Sequence, residues 1–207
     1  MGEIGAEIAV ECVMATLQQA VETGLSDLPA VMRSAAAQAR DAVIAEASKR
    51  GSEPRSFAST LLVFMLTGNS GAAMQIGDGV MVVSTGDNEW GWIFWPQRGE
   101  YANTTYFLTD DDAIKRLEVE SLPSGIINVA LMSDGLESLA LHYASKTVHE
   151  PFFNGMFRPL VESDGAAEVA ALSDSLQQFL SSDHVGSRTD DDLSIILATR
   201  RHQHHSP

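Results

Sequence analysis

Apolar residues recur along this chain with two different periods, and the switch between them divides it into regions. Over residues 4–21 and 28–48 they return every three to four positions among many alanines, which predicts two amphipathic helices. The first ends near Gly24, and Ser26-Asp27 offers side-chain oxygens to cap the second. From residue 57 the period shortens. Residues 57–66, 72–76, 80–84 and 90–95 predict short strands, separated by turn residues at Gly68-Asn69-Ser70-Gly71, Gly77-Asp78-Gly79 and Gly86-Asp87-Asn88. The expected arrangement is an antiparallel meander in which Gly77-Asp78-Gly79 closes a hairpin, with further strands at 106–108 and 126–131. Helical spacing returns over 136–143, 151–161 and 166–180 before a last strand at 193–198. Helices, a run of strands, helices and a closing strand predict an α+β layered fold. No repeat or linker divides it, so one domain is expected over residues 1–199, followed by a disordered tail at 200–207.

Composition narrows the classes. With 207 residues and 44% apolar content the chain has ample material for a core. Its one cysteine, Cys12, lies among apolar residues in the first helical pattern, which argues against a disulfide framework and fits a reducing compartment. The formal charge of -15, from 13 basic and 28 acidic side chains, opposes binding to nucleic acid or an anionic membrane. No run reaches the roughly 20 continuous apolar residues of a membrane span. The start Met1-Gly2-Glu3 lacks the order of a signal peptide, and Ala6 stands where a myristoylation motif needs Ser or Thr. A cytoplasmic protein is expected.

The chemistry gathers in two acidic turns at strand ends. Residues 127–131 are apolar and run into Ser133-Asp134-Gly135, so Asp134 leaves a buried strand beside a glycine that permits close backbone approach. The second turn, Thr189-Asp190-Asp191-Asp192-Leu193-Ser194, opens the last strand. Three adjacent carboxylates repel one another unless water or a cation separates them, and a hard divalent ion does so with oxygen ligands. Either turn alone is more readily an ordinary solvated loop. The third motif, Ile76-Gly77-Asp78-Gly79, joins them in a fixed order.

In that order the chain resembles the type 2C metal-dependent serine/threonine protein phosphatases, the PPM-type domain, particularly its compact bacterial members. The resemblance runs through Ser56-Phe57-Ala58-Ser59-Thr60, Ile76-Gly77-Asp78-Gly79, the segment 99–109, Met132-Ser133-Asp134-Gly135-Leu136-Glu137 and Asp191-Asp192-Leu193-Ser194. It implies a four-layer α-β-β-α sandwich with two central antiparallel sheets and two Mn²⁺ or Mg²⁺ ions at one edge. It implies that Asp134 and Asp191 are metal ligands, that Gly135 and Asp192 stand beside them, that Asp78 belongs to a structural turn, and that Glu53 lies near a third-ion carboxylate. The implied activity is hydrolysis of phosphoserine and phosphothreonine in proteins by a metal-activated water, without a covalent phospho-enzyme. A phosphorylated protein substrate, and a cognate Ser/Thr kinase pathway, are the implied partners.

The N-terminus departs from the family pattern. Members open with strands leading to an Asp-Gly-x-Gly loop whose Asp bridges both ions, whereas Ile4-Gly5-Ala6-Glu7-Ile8-Ala9 resembles the helix after that loop. Opening strands, loop and an upstream phosphate-binding Arg are therefore expected to be missing. Two readings stand: a phosphatase given without its opening segment, or a catalytically inactive phosphatase-like domain that binds phosphoprotein or a partner through an exposed sheet edge. Trp90, Trp92 and Trp95 read as aromatics covering a sheet, with a substrate platform as the alternative. His202, His204 and His205 belong to the tail and receive no role.

Overall fold

The computed structural model describes residues 1–68, 70–86, 89–99 and 105–201. The turn residues Asn69, Asp87 and Asn88, residues 100–104 of the segment 99–109 that carries part of the resemblance, and the histidine-containing tail 202–207 lie outside the described residues.

In chain order, α1 (Gly2–Glu22) and α2 (Leu28–Lys49) lead through a 3₁₀ turn (Pro54–Phe57) to β1 (Leu61–Leu66), β2 (Gly71–Ile76), β3 (Val80–Ser84) and β4 (Trp90–Trp92). A short helix, α3 (Ala113–Arg116), precedes β5 (Glu118–Leu122) and β6 (Asn128–Met132). After a second 3₁₀ turn (Asp134–Leu136) come α4 (Glu137–Ala140) and the two-residue strands β7 (Leu141–His142) and β8 (Thr147–Val148). The helices α5 (Glu150–Glu162), α6 (Ala166–Leu180) and α7 (Asp183–Gly186) then lead to β9 (Ile195–Thr199). Two main antiparallel sheets result, ordered β1-β2-β5 and β4-β3-β6-β9, with β7 and β8 as a small hairpin. The chain divides into two compact units: residues 1–79 with 96–124, and residues 80–95 with those from 125 onward.

In the first unit the helical period does what it predicts. α1 buries Gly5, Ala9, Val13, Leu17 and Ala20, a stripe at three-to-four spacing, and packs it against the alanine-rich face of α2. By length and composition α1 could cross a membrane. Its apolar stripe is instead taken up by α2, with Glu3, Glu7 and Glu11 exposed. Asp27 caps α2, its Oδ1 accepting from Ala30 N at 3.1 Å, and Pro29 follows in the first turn, where a missing N–H costs nothing. Phe57 and Met32 are fully buried in the same cluster, each stabilising the fold by about 1.5–3 kcal/mol.

In the second unit β3 and β6 are the central, mostly buried strands, and α5 contributes Phe153 and Phe157 to their core. Trp90 of β4 lies 5.2 Å and 4.9 Å from those two rings, so it covers the sheet as expected.

Several expected elements are corrected. Gly77-Asp78-Gly79 does not close a hairpin, because β2 and β3 belong to different sheets; Gly77, at φ +105, marks the crossover that ends the expected meander. The expected strand at 57–66 begins only at Leu61, because Pro54 starts a 3₁₀ turn there. Residues 106–108 form no strand: Phe107 N donates to Asp110 Oδ2 at 2.9 Å and Leu108 N to the Ser59 carbonyl at 2.9 Å. The helix expected over 136–143 stops at Ala140, since Leu141 and His142 pair with Val148 and Thr147 around a turn that holds Lys146 at φ +53. β5 went unpredicted, its two glutamates masking an edge strand paired to β2.

Candidate functional site

β6 and β9 deliver the two acidic turns to one place. Their antiparallel register sets Met132 opposite Ile195, so the residues that follow β6 and those that precede β9 emerge at the same end of the sheet. Ser133 then joins them. Its backbone N donates to the Ser194 carbonyl at 3.0 Å, its hydroxyl donates to the Asp192 carbonyl at 3.0 Å, and the same hydroxyl accepts from Ser194 N at 3.0 Å.

Gly135 shows how close the approach is. A Cβ on it would lie 2.9 Å from the Asp192 carbonyl oxygen, 2.9 Å from Leu193 Cδ2 and 3.3 Å from Asp191 Cβ. Only a residue without a side chain fits this turn, and the closeness to Asp191 Cβ carries the Asp134 turn to the Asp191 turn. Asp191 N in turn donates to Thr189 Oγ1 at 3.2 Å. Asp134, Asp191 and Asp192 are all exposed, so their carboxylates are open to an incoming ion or ester.

The donor set suits a hard divalent cation. Both turns offer carboxylate oxygen and no sulfur or imidazole, and an ion such as Mg²⁺ is commonly held by one or two carboxylates with water or substrate phosphate completing its octahedron. Among the described residues no third His, Cys, Asp or Glu joins them in a group able to hold a metal by itself.

Asp78 and Glu53 lie in the other compact unit. Asp78 follows a tightly built turn: Gly77 N donates to Gln97 Oε1 at 2.9 Å, Gln75 Nε2 donates to the Gly77 carbonyl at 3.0 Å, and a Cβ on Gly77 would sit 2.6 Å from Thr60 Cβ. Glu53 is exposed and precedes the Pro54–Phe57 turn with an extended backbone and no side-chain capping bond. Sequence reasoning missed the clamp formed by Ser133 and the supports Gln75 and Gln97. Ser133 stands inside a motif already noticed, but nothing local marks it as the tie to a turn some sixty residues away.

Comparison with known proteins follows the same lines. Residues 1–181 match the family model described as protein phosphatase 2C, a stretch that contains Asp134 and stops before Asp191. The chain is 38% identical over 200 residues to serine/threonine-protein phosphatase 3 of Escherichia coli K12, covering 95% of this chain and 78% of that one. It resembles the Mycobacterium tuberculosis serine/threonine phosphatase PstP/Ppp with a TM-score of 0.63 at 18% identity, over 96% of this chain and 83% of that one. The catalytic domain of PstP in complex with two manganese ions gives a TM-score of 0.61 at 18% identity, over 93% of this chain and 80% of that one.

Proposed function

This chain belongs to the protein phosphatase 2C family, and from that premise we propose that it removes phosphate from phosphoserine and phosphothreonine in proteins, with Asp134 and Asp191 as its metal ligands. The observation that carries the reading is the Ser133 clamp, which ties the turn of Asp134 to that of Asp191 by three hydrogen bonds. Divalent Mn or Mg ions, when bound there, would acidify a water and neutralise the phosphoryl oxygens in an in-line displacement.

The protein's own part is positional. Ser133 fixes the spacing of the two turns, Gly135 leaves the room that spacing needs, and Asp192, exposed beside Asp191, adds negative charge that draws a cation in. Asp78 serves the Gly77 turn rather than the ions. Glu53 is assigned no ligand role. The proposed partner is a phosphorylated protein from a Ser/Thr kinase pathway, and the proposed location is the cytoplasm, where the unpaired Cys12 stays reduced.

Mn²⁺-dependent release of phosphate from a phosphothreonine peptide tests the reading, with Asp134→Asn and Asp191→Asn beside the unaltered chain. Residues that merely orient a ligand cost about 10–100-fold, so true ligands should cost at least about 100-fold, and chelation should abolish turnover. Turnover that persists in both variants would remove these two carboxylates from the site.

A further inference from the structure

Trp95, like Trp90, packs one side against the core of the second unit, whereas Trp92 does not. The Trp95 ring stands nearly perpendicular to two neighbours, Trp92 (centroids 5.5 Å apart, 74°) and Tyr143 of the β7–β8 hairpin (5.1 Å, 72°). Trp92 and Tyr143 each remain 39% exposed, so these two rings offer aromatic surface to solvent around the half-buried Trp95. One cation already uses it: Lys146 Nζ sits 5.9 Å from the Trp95 ring centroid, at the outer limit of cation–π attraction. The Lys146 backbone is fixed, its carbonyl accepting from Trp92 Nε1 at 2.9 Å, while its side chain is exposed and free to swing aside.

Strand register places this cluster relative to the acidic turns. β4 runs antiparallel to β3 with Trp92 opposite Val82, and Ile93 N donates to the Met81 carbonyl at 3.0 Å, so the chain proceeds toward the Val80 end as it reaches Trp95. Val80 pairs with Met132 and Met132 with Ile195, which puts Asp134 and Asp191 at that same end. From β4 across β3 to β6 is two strand spacings, about 10 Å. An extended peptide covers that distance in about three residues.

We propose that the Trp92–Trp95–Tyr143 surface docks a basic side chain, arginine best, lying about three residues from the phosphorylated residue of the substrate. This rests on the phosphatase reading above and names the substrate class it prefers. A net charge of -15 favours basic over acidic peptides, and a planar guanidinium stacks on tryptophan more effectively than the ammonium of Lys146 that it displaces.

Phosphothreonine peptides with a single Arg, Ala, Pro or norleucine three positions before or after the phosphoresidue test the proposal on the full chain, read both as kcat/KM and as fluorescence anisotropy of labelled peptides. One of the two Arg placements should exceed its Ala counterpart by about five-fold, mainly through KM, as a cation–π contact of about 1 kcal/mol implies. The ratio should fall to about one in Trp95→Leu and rise above five in Lys146→Ala. If Trp95→Leu melts early by circular dichroism, Tyr143→Leu takes its place. Equal handling of Arg and Ala peptides, an Arg preference that survives in the aromatic variants, or equal preference for Pro or norleucine would overturn the proposal. Should no phosphate ester be turned over at all, the catalytic reading fails, and the anisotropy ratio still decides the docking.

Discussion

Gly135 and Ser133 show how much of the acidic site depends on residues that bind nothing themselves. A methyl group at 135 would lie 2.9 Å from the Asp192 carbonyl oxygen, a backbone atom with no rotamer to yield. Gly135→Ala should therefore part the two turns and destabilise the fold by about 1–3 kcal/mol, with a larger fall in Mn²⁺-dependent turnover than in thermal stability. Ser133→Ala removes both hydroxyl hydrogen bonds at an exposed position where water can replace them, so about 1 kcal/mol of stability is expected to go. Metal affinity measured by titration calorimetry should weaken by about 10–100-fold. Cys12 gives the opposite expectation. Burial raises its thiol pKa above the ordinary range, leaving less thiolate at neutral pH. Alkylating reagent should modify it slowly at pH 7 and leave phosphatase activity in place; rapid inactivation would bring a thiol into the reaction. The two acidic turns were legible in the sequence because Asp134 and Asp191 each abut a glycine or further acids at the edge of an apolar run, and the role proposed for them rests on that placement. The clamp was not, because its partners are joined only by the β6–β9 register.

At the scale of elements, periodicity found the helices well because α1 and α2 each bury a single stripe, and α6 was placed at its full extent, residues 166–180. It could not tell a hairpin from a crossover: residues 77–79 have the composition of a tight turn, and only the partners of β2 and β3 reveal that the chain changes sheets. Glycines inside the helices separate packing from propensity. Gly5 of α1 faces the turn at Phe57, where a Cβ would lie 2.9 Å from the Phe57 carbonyl carbon, whereas Gly155 of α5 has open space around it. Gly5→Ala should destabilise by about 1–3 kcal/mol as the helix is pushed off that turn. Gly155→Ala should stabilise by about 0.5–1 kcal/mol through helix propensity alone. Chemical denaturation of the pair checks the contrast, and a stabilising Gly5→Ala would mean that α1 does not seat against Phe57 as described.

For the molecule as a whole, the second unit carries an apolar surface that its own elements leave open. β9 is the edge strand of its sheet, and among the described residues no strand pairs with its outer side. Ile196, 65% exposed, lies on it. Beside it α5, α6 and β9 line a cavity of about 380 Å³ with Met156, Leu160, Leu176, Phe179 and Leu197, and none of the residues of α6 is fully buried. An apolar strand with an unpaired edge templates association, and the net charge that opposes it is screened beyond a Debye length of about 8 Å at physiological salt. The chain should therefore bind an apolar dye and self-associate more as salt rises, despite its charge of -15. Ile196→Lys places a charge on the edge without disturbing a buried contact, so stability should change by no more than about 0.5 kcal/mol. Sedimentation of the variant should show less association at every salt concentration, because the added lysine blocks edge pairing by desolvation as well as by charge. If association and dye binding are both unaltered by Ile196→Lys, the sticky surface lies elsewhere, and the open edge of β9 is tolerated without consequence.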